Sequence, residues 1–200
     1  MGFAPVNWLS AEQSSEVLKH AYGDSMRAKR DYAMLAMLFG CGFRRSELVG
    51  LDLDELQMRQ GHWAVVDLIG PHPHGTHSNL GKVGSRSGTE AAGVGEGKIF
   101  RAVARMGKVW GSGISQNVVW YVVKTCCERA GLEHIAPHDL LRTCAKLCHT
   151  SGGELEQIQF LLGHASVQTT ERYCVQKGDM CSECLRQIPD GDGRRMTRVF

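Results

Sequence analysis

Three short stretches of the sequence carry side chains that suit phosphate chemistry. They are CGFRRSEL at residues 41 to 48, PHDLLRT at 137 to 143 and LLGHASVQTTERY at 161 to 173. Arginine binds phosphate oxygens through paired hydrogen bonds, histidine transfers protons near neutral pH, and a tyrosine hydroxyl can act as a nucleophile. Each residue alone has an ordinary explanation, such as a helix cap or core packing. Their joint spacing is what indicates a functional site.

The order and spacing of these stretches resemble the motifs of the tyrosine recombinase, or phage integrase, family. That family has an arginine in G-x-R-x-S-E-L, a His-x-x-Arg, and an L-G-H followed nine residues later by tyrosine; the last spacing is the one from His164 to Tyr173 here. The resemblance covers residues 8 to 176 and corresponds to the catalytic domain of that family.

The resemblance implies a metal-free reaction on double-stranded DNA. A tyrosine hydroxyl attacks a phosphodiester, forms a 3′-phosphotyrosyl link and frees a 5′-hydroxyl, which later reverses the step on another strand. In this sequence Tyr173 would be the nucleophile and Arg44 the first phosphate-binding arginine. His138 would be a general acid/base or a phosphate contact, and His164 a hydrogen-bonding partner of the phosphate.

The second stretch departs from the family pattern at its arginine. The family arginine lies three residues after the histidine, and that position here is Leu141. Arg142 follows one place later, rotated by about 100° around a helix, so we expect its guanidinium group to be misaimed as a substitute. Asp139 and Glu47 are expected to support the site. For Glu47 an ordinary helix-start carboxylate is the alternative.

A second departure follows the predicted strand HWAVVDLI, residues 62 to 69. The family has a G-K step there, whose lysine donates a proton, whereas this sequence has GP with Pro71. Lys82, inside a glycine-rich irregular loop predicted for residues 70 to 97, is the nearest substitute. Pro71 also lacks a backbone N–H that a hairpin turn could use. Because the second arginine is displaced and the proton-donating lysine is missing, we expect impaired cleavage. A frame-shifted or decayed copy is one hypothesis for this region.

Apolar periodicity predicts several helices and one strand. The resemblance implies a mainly α (α+β) fold of the tyrosine recombinase catalytic type, with a helical core and a small β-sheet that is incomplete here. Ser10 and Gln13 form a capping box, and the crowded apolar residues before Gly42 predict a core helix that ends at residue 40 or 42. Further helices are predicted in RRSELVGLDLDEL, SQNVVWYVVKTCCERAG, the segment after Pro137, ELEQIQFLLG and VQTTERYCVQ. We expect a catalytic domain over residues 1 to 176 and a polar, loosely ordered tail over 177 to 200.

Composition leaves the partner open, because a formal charge of +2 neither requires nor excludes nucleic acid. The resemblance implies double-stranded DNA as the partner, self-association on DNA and no cofactor. No apolar run is long enough to span a membrane, and the first residues carry no secretory signal. Eight cysteines without such a signal indicate reduced thiols. We therefore expect a cytoplasmic protein.

Two other functions stay open at this point. The first is a relative that holds DNA through Arg44, Arg142 and surface cations without cutting it. The second is a Cys/His metalloprotein organised around Cys174, Cys181 and Cys184, although this C-x6-C-x2-C spacing lacks a fourth ligand. Core packing is the expectation for the other five cysteines: Cys41, Cys126, Cys127, Cys144 and Cys148.

Overall fold

The computed structural model describes residues 8–59, 62–65 and 96–174, without the side chains of 57–59, 62–65, 172 and 173. Helices dominate these ranges: α1 (Ala11–Ala21), α2 (Met26–Cys41), α3 (Arg45–Gly50), α4 (Gln116–Arg129), α5 (Pro137–Thr150), α6 (Leu155–Leu162) and α7 (Val167–Cys174). The predicted mainly helical fold is confirmed. None of the described helices is long and apolar enough to cross a membrane.

The described strands form two small antiparallel pairs. Strand β1 (Leu56–Arg59) pairs with β2 (His62–Val65), and β3 (Ala102–Val103) pairs with β4 (Val109–Trp110). The strand predicted at residues 62 to 69 is confirmed over its first half, and residues 66 to 69 lie outside the described residues. The short strands β1, β3 and β4 were not predicted.

Local capping signals account for where the helices start and end. At α1, the Ser10 hydroxyl accepts the Gln13 backbone N–H at 3.2 Å, and the Ser10 N–H donates to Gln13 Oε1 at 2.9 Å. Helix α2 ends at Gly42 (φ +64°) and α6 ends at Gly163 (φ +60°), both in the left-handed conformation that favours glycine. These predicted boundaries are confirmed.

The two largest apolar clusters of the described residues hold the helices together. The larger surrounds α2, whose Met34, Leu35, Met37, Leu38 and Phe39 are each 2% exposed or less. The smaller joins α5, α6 and α7 through five buried residues: Leu141, Ala145, Ile158, Leu162 and Cys174. Because burial of a leucine or isoleucine side chain contributes about 1.5–3 kcal/mol, the smaller cluster fixes the last two helices against α5.

The cysteines of the helical core are packed thiols. Cys41, Cys126, Cys127 and Cys144 are buried as predicted, whereas Cys148 is half-buried. Burial raises the pKa of Cys127 to about 12. A thiol with so high a pKa carries little thiolate at neutral pH and is a poor nucleophile.

Several predicted features lie outside the described residues. They include Pro71, Lys82, Cys181, Cys184, most of the loop predicted for residues 70 to 97, and the tail over 177 to 200. The domain boundary at residue 176 also falls there, so it stays a prediction.

Candidate active site

A glycine turn and two acceptors hold Arg44 at the start of α3. A Cβ atom on Gly42 would lie 2.6 Å from Leu162 Cδ2, so only glycine allows this turn to pack so closely on α6. Arg44 Nη2 donates to the Leu162 carbonyl at 3.2 Å. Glu47 accepts from the Arg44 backbone N–H at 2.8 Å and from Nη1 at 2.6 Å. The guanidinium group is therefore fixed in orientation.

Asp139 organises the start of α5. One carboxylate oxygen accepts the Ala136 backbone N–H at 2.9 Å, and the other accepts from Arg142 Nη1 at 3.1 Å. The buried Thr143 hydroxyl donates to the Asp139 carbonyl at 2.7 Å and accepts the Leu9 N–H at 3.0 Å. Asp139 thus supports the helix start and orients Arg142 at the same time.

His138 is the second residue of α5, and its side chain is exposed beside positive charges. Partial desolvation lowers its pKa, and the neighbouring charges of Arg142 and Arg44 lower it further, while Asp139 opposes them. The lowered pKa favours the neutral imidazole, which can accept a proton. These charge interactions also show that the first two sequence stretches meet in space.

A cleft of about 360 Å³ opens where α3, α4 and α5 begin. Its lining consists of Phe43, Arg44, Arg45, Ser46, Gln116, Pro137, His138 and Leu141. Leu141 lines this cleft, whereas the neighbouring Arg142 is not among the described residues that line it. Leu141 is 2% exposed and belongs to the smaller apolar cluster, so this part of the wall is apolar. Gln116 was not among the predicted site residues, because it belongs to none of the three motifs.

His164 is fixed by the turn that follows α6. Its backbone N–H donates to the Gln159 carbonyl at 3.1 Å, and Gln159 Nε2 donates to the His164 carbonyl at 2.9 Å. The Nδ1 atom of the His164 ring lies 3.0 Å from the hydroxyl of Thr170, which is fully buried. Because Thr170 occupies Nδ1, a contact with phosphate would use Nε2. Thr170 was not among the predicted site residues.

Tyr173 is the last residue but one of α7. Its side chain lies outside the described residues. The helix that carries it is joined to His164 by the contact of Thr170 with the His164 ring. Two residues before His164, the Leu162 carbonyl accepts a hydrogen bond from Arg44. The third sequence stretch is therefore connected to the cleft through described hydrogen bonds.

The described residues give no support to a metal centre. Within residues 8–59, 62–65 and 96–174, no group of three or more His, Cys, Asp or Glu side chains is arranged to hold a metal ion. Cys174 is buried, with its Sγ 3.7 Å from the Ala145 carbonyl, and burial raises its pKa to about 11. Because Cys181 and Cys184 lie outside the described residues, the metalloprotein alternative stays a prediction.

Comparisons with known proteins agree on one relationship. The model of the phage integrase family matches residues 99–178. The tyrosine recombinase XerC of Azotobacter vinelandii is 32% identical over 175 residues, which cover 82% of this chain and 54% of that protein. XerD of Shewanella oneidensis is 31% identical, with 82% and 55% covered. The chain thus spans about half the length of these curated relatives.

Solved structures show the same fold. The XerA recombinase superposes with a TM-score of 0.68 at 21% identity, covering 88% of this chain and 62% of that one. The XerH recombinase bound to its difH substrate, in a pre-cleavage complex, superposes with a TM-score of 0.69 at 18% identity, covering 88% and 53%. The family model and the XerC relative, together with the motif order, show that the chain belongs to the tyrosine recombinase, or phage integrase, family.

Proposed function

We propose that this protein is a site-specific DNA recombinase that acts through a 3′-phosphotyrosyl intermediate. The observation that carries the proposal is the cleft that brings Arg44 and His138 together. Arg44 also donates a hydrogen bond to the carbonyl of Leu162, two residues before His164. In the proposed step, the Tyr173 oxygen attacks phosphorus and the bond to the 5′-oxygen breaks. The departing oxygen takes up a proton, and the tyrosine loses one.

The described contacts suit each residue to its role in this step. Arg44 would bind non-bridging phosphate oxygens, because Glu47 and the Leu162 carbonyl hold its guanidinium in place. The lowered pKa of His138 favours its neutral form, which can accept a proton or donate an N–H to the phosphate. His164 would contribute Nε2, since Thr170 lies against Nδ1.

We also propose that cleavage is impaired in this chain. Leu141 places an apolar side chain in the cleft wall where the family pattern has an arginine. Loss of one directional donor to a transition-state oxyanion typically lowers the rate by about 10²- to 10³-fold. The same observation favours a second candidate, a relative that binds DNA without cutting it. Pro71 and Lys82 lie outside the described residues and stay a prediction.

The partners follow from the chemistry of the proposal. Double-stranded DNA would be the substrate, and copies would associate on it, because exchange between two duplexes requires a cut in each. We propose a catalytic domain over residues 1 to 176 followed by a tail over 177 to 200. We place the protein in the cytoplasm, where DNA and reduced thiols coexist.

The test is covalent capture of DNA. The protein is incubated with a pool of nicked duplexes that carry a randomised central segment, and strands that remain attached after denaturation in detergent are sequenced. We expect wild type to capture strands, Tyr173→Phe to capture none, and Tyr121→Phe, which changes an exposed tyrosine on α4, to behave as wild type. A gel shift without capture would identify the binding-only relative. Absence of both capture and binding would refute the proposal.

A further inference from the structure

We propose that Lys146 is a positioning residue that holds the end of α7, and with it Tyr173, against α5. This inference rests on the proposed function, which makes Tyr173 the nucleophile. Position 146 lies outside the three motifs that indicated the site. Its contacts join helices that are far apart in sequence.

The first contact joins Lys146 to the residue after Tyr173. Lys146 Nζ donates to the Cys174 carbonyl at 3.0 Å, across 28 positions in the chain. Cys174 is the last residue of α7 that the structure describes. Lys146 therefore binds the backbone of α7 from a neighbouring helix, one residue after Tyr173.

The second contact fixes the Cys174 side chain at the neighbouring position of α5. Its Sγ lies 3.7 Å from the Ala145 carbonyl, and the residue is 1% exposed within the smaller apolar cluster. Main chain and side chain of Cys174 thus dock on consecutive residues of α5. Because Tyr173 is bonded covalently to Cys174, this docking restricts where its backbone lies.

Lys146 is itself held in place. Its Nζ lies 5.5 Å from the centre of the Trp8 ring, within the range of a cation–π contact. The next residue, Leu9, donates its backbone N–H to Thr143 Oγ1 on α5 at 3.0 Å. The segment before α1 therefore lies along α5 and presents the Trp8 ring to the ammonium group.

Helix α7 is anchored at two points along its described residues. Thr170 bonds to His164, and the Cys174 carbonyl accepts from Lys146. Tyr173 lies between these two anchors. Without Lys146 the backbone beside Tyr173 would lose one anchor, and misplacement of a reacting group by about 1 Å can lower a rate by about 10²-fold.

The experiment compares Lys146→Met with Lys146→Arg and with a matched control. The control is Lys124→Met on α4. Lys124 also has a cation–π contact, because its Nζ lies 5.0 Å from the centre of the Trp120 ring. For each variant we would use a duplex whose sequence wild type captures. We would measure the rate of covalent capture at a saturating concentration of this duplex, and its dissociation constant. Amide hydrogen exchange of residues 167–174, read by mass spectrometry, gives a measurement that needs no activity.

We expect Lys146→Met to lower the capture rate about tenfold and to speed exchange in α7 by a similar factor, because a hydrogen bond to a charged group is lost. The dissociation constant and exchange in α2 should not change. Lys146→Arg should retain most of the rate, and Lys124→Met should match wild type. Unchanged exchange in α7, or equal acceleration in α2 and α7, would overturn the inference.

The two proposals fail in different ways. If wild type captures no strand from any duplex, the cleavage proposal is in error, and exchange in α7 still decides whether Lys146 holds the helix. If wild type captures DNA and Lys146→Met captures it at the same rate, the cleavage proposal stands and Lys146 has no positioning role.

Discussion

Replacement of Leu141 by arginine tests where the phosphate binds. Leu141 lines the cleft beside Arg44 and His138, at the place where the family pattern has its second arginine. An arginine there would extend its guanidinium into a cleft of about 360 Å³, which has room for it and for a phosphate group. We therefore expect Leu141→Arg to gain a directional donor to the transition state.

The same replacement should destabilise the fold. Leu141 is 2% exposed and packs in the smaller apolar cluster, so removal of its side chain costs about 1.5–3 kcal/mol, less what the arginine methylene groups recover. Repulsion from Arg44 and Arg142 adds to this cost in the protein alone. DNA phosphate would offset that repulsion. Against this cost, we expect a rate gain of about 10²- to 10³-fold, the usual effect of one such donor.

The assay separates the arginine from any missing proton donor. A duplex with the captured sequence is synthesised with sulfur in place of the 5′-bridging oxygen at the cleavage site. Because a thiolate leaves without taking up a proton, cleavage of this duplex needs no proton donor. Capture rates and urea unfolding free energies are measured for wild type, Leu141→Arg and Leu141→Met. The methionine variant keeps the volume, should remain within about 1.5 kcal/mol of wild type, and should gain no rate. A folded, DNA-binding arginine variant that is no faster than the methionine variant would refute the placement of the phosphate.

Two further predictions concern the histidines. Thr170→Val should lower the capture rate about tenfold, since His164 loses a hydrogen bond at Nδ1, whereas Thr169→Val should not; equal rates would contradict the role of Thr170. The pKa of His138 is lowered from 6.5, so its charging disfavours the fold, and stability should fall as pH drops below 6.5. In urea unfolding, His138→Gln should lessen that fall and the exposed His134→Asn should not; parallel profiles would exclude His138 as the cause.

Local signals explain how much of this fold the sequence predicts. The capping box at Ser10 and the left-handed Gly163 act within a few residues, so the helix boundaries could be inferred from the sequence. Strands β3 and β4 have two residues each, too few for any periodicity to show. Thr170 and Lys146 escaped notice because their partners depend on how α5, α6 and α7 pack. That packing is a tertiary property which no short motif encodes.

Leu141 and Arg142 affect two different properties of the site, namely the attraction of a phosphate and the stabilisation of the transition state. Asp139 holds Arg142 at 3.1 Å, and the charge of Arg142 lowers the pKa of His138, so the start of α5 keeps a positive charge close to the cleft. The wall at Leu141 has no hydrogen-bond donor to offer. Attraction of a phosphate requires charge alone, whereas stabilisation of the transition state requires donors in a fixed direction. DNA affinity should therefore be retained to a larger degree than the cleavage rate.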